Sequence, residues 1–423
     1  MSNYNKGAVL SNNAIAVWFV ASLFTCFQFC TQVITGPMTS SLMAEFNLNA
    51  VTVSYAVSSF FYIYLIMQLP AGIILDRFPN RYVMSITCLI CSVGCLFMGL
   101  ANNIYLFIIA RMLCGLGSAF GFIGTMRILR NYFPIKYIAL FIGLTEMMGF
   151  LVTALCENLA SYFLPLIGFQ KIFLYMGTIG TLIALSVFIV MHKKFVPKFE
   201  LAPPAKQLNL LKDLSELIFD GQLWILGFIA FSFFSLVTAF AALWGVPALV
   251  NIHKLSLHTS TQAISCIFLG IAVGGPLMGY LSTKMTNHRI LIFSCGVTGA
   301  ILLLMLISVA DMNFWNLAII LFLCGMLCCC YLLSFAIAGD ITPPRLSGLT
   351  MGFINMVTMT SALLMQPIMG YLVSLNGVLE IVDGTPIYEL AGYKRACLSI
   401  VVLYILASIS SWRLNTKARA GHS

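Results

Sequence analysis

The sequence predicts an all-α integral membrane protein, with twelve transmembrane helices in two pseudo-symmetric six-helix bundles. Three observations predict it. Hydrophobic residues make up 61% of the 423 and charged residues 8%, against about a quarter charged in soluble domains, and mean hydropathy is +1.00. The apolar residues fall into twelve runs, each near the ~20 residues that cross a bilayer as a helix. One long polar stretch divides these runs six from six, giving a bundle over 1–191, a linker over 192–222 and a bundle over 223–423. A β-barrel would instead show weak alternation in segments of ~10 residues.

Taken in order, the runs are 14–38, 52–75, 82–101, 104–126, 138–160 and 169–191, then 223–250, 262–283, 290–310, 314–338, 346–373 and 393–412. The first is too long for a cleavable leader and lacks a basic start. It carries Thr25, Gln28, Gln32 and Thr35, spaced 3, 4 and 3, which is one helical face. The second adds Tyr62 and Gln68 and ends in GIILDRFPNR, Gly72 to Arg81. Asp76 there stands at a helix C-terminus, where partial negative charge already collects, so it requires a compensating partner. The fourth run holds Arg111, and the fifth holds Glu146 and, near its far end, Glu157, read as an interface residue. The linker contains Pro197, Pro203, Pro204 and most of the central lysines. The seventh run offers Ser232, Ser235 and Thr238, the tenth Tyr331 and Ser334, and the eleventh Asn355 and Thr358. The fourteen cysteines lie mostly inside apolar runs, where Cys acts as a small hydrophobe. They show no zinc or disulfide spacing.

Orientation follows from the basic residues. With the N-terminus in the cytoplasm, the inner loops hold Lys6, Arg77, Arg81, Arg127, Arg130, Lys136, the five linker lysines, Lys284, Arg289, Arg345, Arg413, Lys417 and Arg419. The outer side keeps Lys171, Lys254, Lys394 and Arg395. The positive-inside rule then places both termini in the cytoplasm of a multi-pass inner (plasma) membrane protein. The net charge of +9 needs no nucleic-acid partner, since topology and anionic lipid account for it.

The halves repeat. Shifted by 209, Pro134, Lys136, Leu140, Gly143 and Met147 meet Pro343, Arg345, Leu349, Gly352 and Met356. GIILDRFPNR has a weaker echo in GYLSTKMTNH, where Asp76 meets Thr283. Such duplication around a central cavity is common among transporters.

Gly72-x3-Asp76-Arg77-x3-Arg81 between the second and third helices resembles the signature loop of the major facilitator superfamily, and Arg111, Gly115 and Gly117 in ARMLCGLG resemble its second motif. The resemblance covers the whole chain and implies the major facilitator fold. YIYLIMQLPAGIILDRF is also similar to the phagosomal transporter-like uptake carriers of intracellular bacteria. Helix five lacks the Gly-Pro-rich motif of drug–proton antiporters, since TEMMGFLVTALCENLA contains no proline. The resemblance implies a pathway lined by helices one, four, seven and ten, and a gate in which Gly72, Asp76, Arg77 and Arg81 meet the start of helix eleven when the cytoplasmic side is shut.

These readings lead to a secondary active transporter working by alternating access, as proton-coupled uptake of a small polar or zwitterionic metabolite such as an amino acid, short peptide or carboxylate-bearing compound. Gln28, Gln32, Thr25, Tyr62, Arg111, Tyr331 and Asn355 are its expected substrate-binding residues, since polar groups in lipid-embedded helices usually face a cavity. Arg111 lies roughly 10 Å below one surface and Glu146 roughly 12 Å from the other, so across ~30 Å they differ in depth by roughly 8 Å. That spacing predicts a pair carrying the proton. The expected partners are substrate, proton and lipid, for a monomer with no cofactor and no metal. An efflux antiporter and a non-transporting sensor remain alternatives. An enzyme is not supported: HExxH and phosphate-loop motifs are absent, and His192, His253, His258, His288 and His422 fall in loops or tails.

Overall fold

The structure, a computed structural model, describes residues 12–192, 215–285, 287–309, 312–343, 346–382 and 384–414. Among these residues eleven helices are long and apolar enough to cross a membrane, and one of them, the 51 residues Leu140–Val190, is two crossings joined. The joint is Gly168, whose φ of 75° suits a residue without a Cβ. Twelve crossings result.

Spans 1, 2 and 3 are Asn12–Val33, Ala50–Arg77 and Asn80–Gly99. Span 4 joins Ile104–Ser118 to Gly121–Tyr132, and spans 5 and 6 share Ile135–Val190. Span 7 runs Gly221–Ser235, then a π-helical Leu236–Trp244, then Gly245–His253. Span 8 is Leu257–Lys284, span 9 His288–Ser308, span 11 Ser347–Ser374 and span 12 Leu390–Ser411, while span 10 joins Phe314–Cys328 to Tyr331–Ile341. Asparagine or serine starts several: Asn49 accepts from the Val51 and Thr52 N–H groups, and Asn103, Ser256 and Asn313 cap spans 4, 8 and 10, each satisfying an otherwise orphaned donor. Span 1 is shorter than its apolar run. The chain turns over 34–38, around Pro37, and a short helix Thr39–Glu45 follows. Most of the expected linker lies outside the described residues.

Large apolar side chains such as Ile66, Ile109 and Leu182 point outward, as they do where lipid is the solvent. Inside, two close helix crossings fall at glycine. A Cβ on Gly115 would strike the Phe60 carbonyl where span 4 meets span 2, and one on Gly325 would strike the Ile267 carbonyl where span 10 meets span 8. These two crossings are mates under the repeat, so the duplication is visible in packing.

Between spans 11 and 12 the chain forms a β-hairpin, β1 Val378–Val382 paired antiparallel with β2 Thr385–Tyr388. It reaches across to the other bundle. The Ala50 N–H donates to the Tyr388 hydroxyl at 2.7 Å, and Thr385 Oγ1 to the Ser40 carbonyl at 3.3 Å. At the same end Thr35 and Thr39 donate to the carbonyls of Ala242 and Leu243, and Trp244 Nε1 donates to Ser54 Oγ and to the Gln366 carbonyl, each at 3.2 Å. Asn158 Nδ2 donates to Ser265 Oγ at 2.7 Å, and Ser161 Oγ lies 3.0 Å from His258 Nδ1. The hairpin end is shut.

The linker end is different. Gly72, Gly143, Gly279 and Gly348, one on each of spans 2, 5, 8 and 11, have open space where a Cβ would stand. Neighbouring described residues leave these four positions unfilled at the end that carries the Arg77 loop.

Candidate functional site: an amide cluster between the bundles

Between the bundles lies a buried cluster of amides around one phenol. Gln28 and Gln32 are one turn apart on span 1, and Tyr64 and Gln68 one turn apart on span 2. The hydroxyl of Tyr64 lies within reach of Gln28, Gln32, Gln68 and Asn355. Gln28 Nε2 donates to it at 3.3 Å, while Gln28 Oε1 accepts from the Phe122 N–H at 3.0 Å. That N–H is free because span 4 breaks at Ala119 and Phe120 and restarts at Gly121, leaving first-turn donors without helical acceptors. Asn355 Nδ2 donates to Gln68 Oε1 at 3.3 Å and closes the ring from the other bundle. Among the described residues, Gln32 Nε2 and Gln68 Nε2 are buried without an acceptor. Buried donors in that state favour a hydrogen-bonding guest.

The expected residues divide. Gln28, Gln32 and Asn355 meet in this cluster. Tyr62 does not: its hydroxyl lies 3.4 Å from Ser58, one turn back on its own helix, because residues two apart on a helix point to different sides. Tyr64 takes that place. Thr25 pairs with Thr125 at 2.9 Å and fastens span 1 to span 4. Tyr331 packs against the tilted ring of Phe234 inside the second bundle, centroids 4.8 Å apart.

Arg111 and Glu146 are not brought together. Arg111 is fully buried and spends its donors on two carbonyls, Thr31 at 2.7 Å and Val57 at 2.9 and 3.2 Å, with its guanidinium 5.0 Å from the Phe60 ring centroid. The Thr31 carbonyl is among the last four of span 1 and lacks a helical partner, so a desolvated guanidinium finds an acceptor there and braces spans 1, 2 and 4. Glu146 instead faces Cys329 and Tyr331 of span 10, across the bundle interface. Depth in the membrane matched the two residues, but direction around each helix separates them.

In the gate region, Gly72 is half-buried, Arg77 is exposed and Gly348 has open space where a Cβ would stand. Arg81 Nε donates to the Phe188 carbonyl at 2.8 Å, and its guanidinium lies 3.8 Å over the Phe188 ring, which holds it within its own bundle. The side chain of Asp76 and residue Arg345 lie outside what the structure describes. The expected inter-bundle cluster therefore falls in part outside the described residues.

A chain with twelve crossings, two repeated bundles, a polar site at their junction and one end shut is a multi-pass membrane transporter. It belongs to the Major Facilitator Superfamily, whose family profile matches residues 20–256 and 238–420. The probable galactarate/D-glucarate transporter GudP of Escherichia coli (strain K12) is 24% identical over 91% of this chain and 92% of its own length. Multidrug resistance protein 2 of Bacillus subtilis (strain 168) is 26% identical over 70% of this chain and 74% of its own. Among solved structures, a bacterial homolog of the human lysosomal transporter Spinster, in an inward-facing and occupied conformation, superposes with a TM-score of 0.72 at 16% identity over 96% of this chain and 98% of that one. A point mutant of the nucleoside transporter NupG gives 0.71 at 11% identity over 94% and 99%. The family and these relatives are transporters, not enzymes.

Proposed function

We propose that this chain is a proton-coupled uptake carrier, acting as a monomer in the plasma membrane with both termini in the cytoplasm, for a small polar metabolite that bears a carboxylate. The observation that carries this reading is the amide cluster around Tyr64. It offers donors and acceptors in a buried setting at the junction that alternating access must open and close. Such a site matches a guest rich in hydroxyl, amide or carboxylate oxygens and gives little to an apolar drug. The galactarate and glucarate named for the GudP relatives have that chemistry. With the linker end cytoplasmic, the contacts that shut the hairpin end support an inward-facing state, and the loop of Gly72, Asp76, Arg77 and Arg81 serves as the gate.

Glu146 serves as the proton-carrying group. It stands on span 5 facing span 10, so its surroundings change whenever the bundles rock. Arg111 acts by holding spans 1, 2 and 4 in register around Gln28, rather than by touching substrate. The likeness to a multidrug resistance protein favours efflux as the second reading. The test is uptake by proteoliposomes under an imposed pH gradient, with a panel of aldarates, aldonates, amino acids and dipeptides. Accumulation of one class against its gradient supports uptake. Extrusion of that class, or of lipophilic cations, replaces it with the efflux reading, and specific binding without flux would indicate a sensor.

A further inference from the structure

Glu157 has no part in the site described above, yet it is fully buried. Among the described residues neither of its carboxyl oxygens has a hydrogen-bond partner. A carboxylate ion in such a place would have neither solvent nor cation to balance it, so the group is held as the neutral acid. Its position is specific. Ala154, Glu157 and Ser161 lie at i, i+3 and i+7 on span 5, one stripe along the seam with span 8. Both neighbours on that stripe are bonded across the seam: the Ala154 carbonyl accepts from Ser265 Oγ at 3.4 Å, and Ser161 Oγ meets His258 Nδ1 at 3.0 Å. Asn158, beside Glu157, donates to Ser265 as well. The carboxyl is therefore enclosed between two inter-bundle contacts at the end that is shut.

We propose that Glu157 is a proton-binding site of this transporter, sealed by the seam between spans 5 and 8 and reached only when the hairpin end opens. The titratable groups around it are Cys156 beside it on span 5, Cys30 of span 1, which interacts with Cys156, and His258 of span 8, one turn nearer the surface. Opening separates His258 from Ser161 and Ser265 from Ala154. Water then reaches the carboxyl, the acid can ionise into it, and closure requires the proton to return. The protonated state stands on burial alone; only its exchange rests on the alternating access proposed above.

Two measurements on the full chain in liposomes test these parts separately. Infrared spectroscopy at neutral pH should show the carbonyl stretch of a protonated carboxyl that is lost in Glu157→Gln and retained in Glu157→Asp. The same band must survive Glu146→Gln, which separates this site from the one proposed above. If Glu157→Gln leaves the band in place, or if wild type has none, the proposal is overturned. For transport, Glu157→Gln should lose at least ten-fold of pH-gradient-driven accumulation while substrate counterflow persists, and Glu157→Asp should recover much of it. A Glu157→Gln protein that accumulates substrate like wild type, with the same pH profile, would show that this proton takes no part in the cycle. If Glu157→Gln folds poorly, the Asp variant still decides by the presence and hydrogen–deuterium exchange of its band. Exchange as fast with the hairpin end shut as with it open would refute the seal.

Discussion

Replacing Tyr64 with phenylalanine removes one oxygen from the centre of the amide cluster and leaves the ring where it packs, 5.7 Å from the Phe60 centroid. Gln28 Nε2 loses its acceptor at 3.3 Å, and the other three amides lose the group they share. A hydrogen bond of this kind contributes about 0.5–1.5 kcal/mol net. At about 1.4 kcal/mol per factor of ten, KM for uptake should rise about two- to twelve-fold, with the maximal rate much less affected because the gates are untouched. The assay is initial-rate uptake in proteoliposomes for the compound found in the panel, with Tyr62→Phe as a control whose hydroxyl only meets Ser58 of its own helix. Melting temperatures of both variants confirm that each is folded. An unchanged KM in Tyr64→Phe, or an equal rise in Tyr62→Phe, would refute the assignment of this cluster as the substrate site.

The remaining predictions concern charge, bracing and closure. Glu146→Gln fixes the neutral form of the group facing span 10, so accumulation driven by a pH gradient should vanish while counterflow continues; loss of both would mark Glu146 as structural. Arg111→Lys cannot span the carbonyls of Thr31 and Val57 with one ammonium, and losing hydrogen bonds from a charged donor should cost about 1.5–3 kcal/mol, seen as a lower melting temperature. A normal melting temperature with substrate binding abolished would instead put Arg111 on the substrate. Tyr388→Phe strips the acceptor from the Ala50 N–H, so cysteine probes placed at the hairpin end of span 2 should label faster; unchanged labelling would show that the hairpin is not part of the closure.

The spans were legible because bilayer thickness sets their length and hydropathy follows directly. Breaks inside them were less so: span 4 divides at Ala119 and Phe120 and span 7 passes through a π-helical stretch without proline in either place. The glutamine face of span 1 was read from 3–4 spacing, and the same rule applied from Gln68 leads back four residues to Tyr64 rather than six to Tyr62. The Arg111–Glu146 pair failed because counting residues gives height in the membrane but not azimuth. Nothing in either segment alone says that span 1 ends beside Arg111 and offers it a carbonyl. The hairpin over 378–388 was missed although VLEIV, an Asp-Gly turn and TPIY carry a recognised hairpin pattern. At five and four residues the two strands are far too short to register as membrane-length runs, and only their alternation around a turn marks them. Only residue-by-residue contacts across the seam, of the sort that surround Glu157, were wholly beyond the sequence.

Trp244 has an optical consequence. Of the five tryptophans, Trp224, Trp315 and Trp412 are exposed and Trp18 is buried inside the first bundle, bonded to Thr145. Trp244 is 1% exposed at the junction, its indole N–H shared between Ser54 and Gln366 of opposite bundles. Separation of the bundles at that end would wet this ring and change its emission, while the other four keep their surroundings. A chain keeping only Trp244, with the rest replaced by phenylalanine, would therefore carry its own fluorophore for following each turnover in real time without an attached dye.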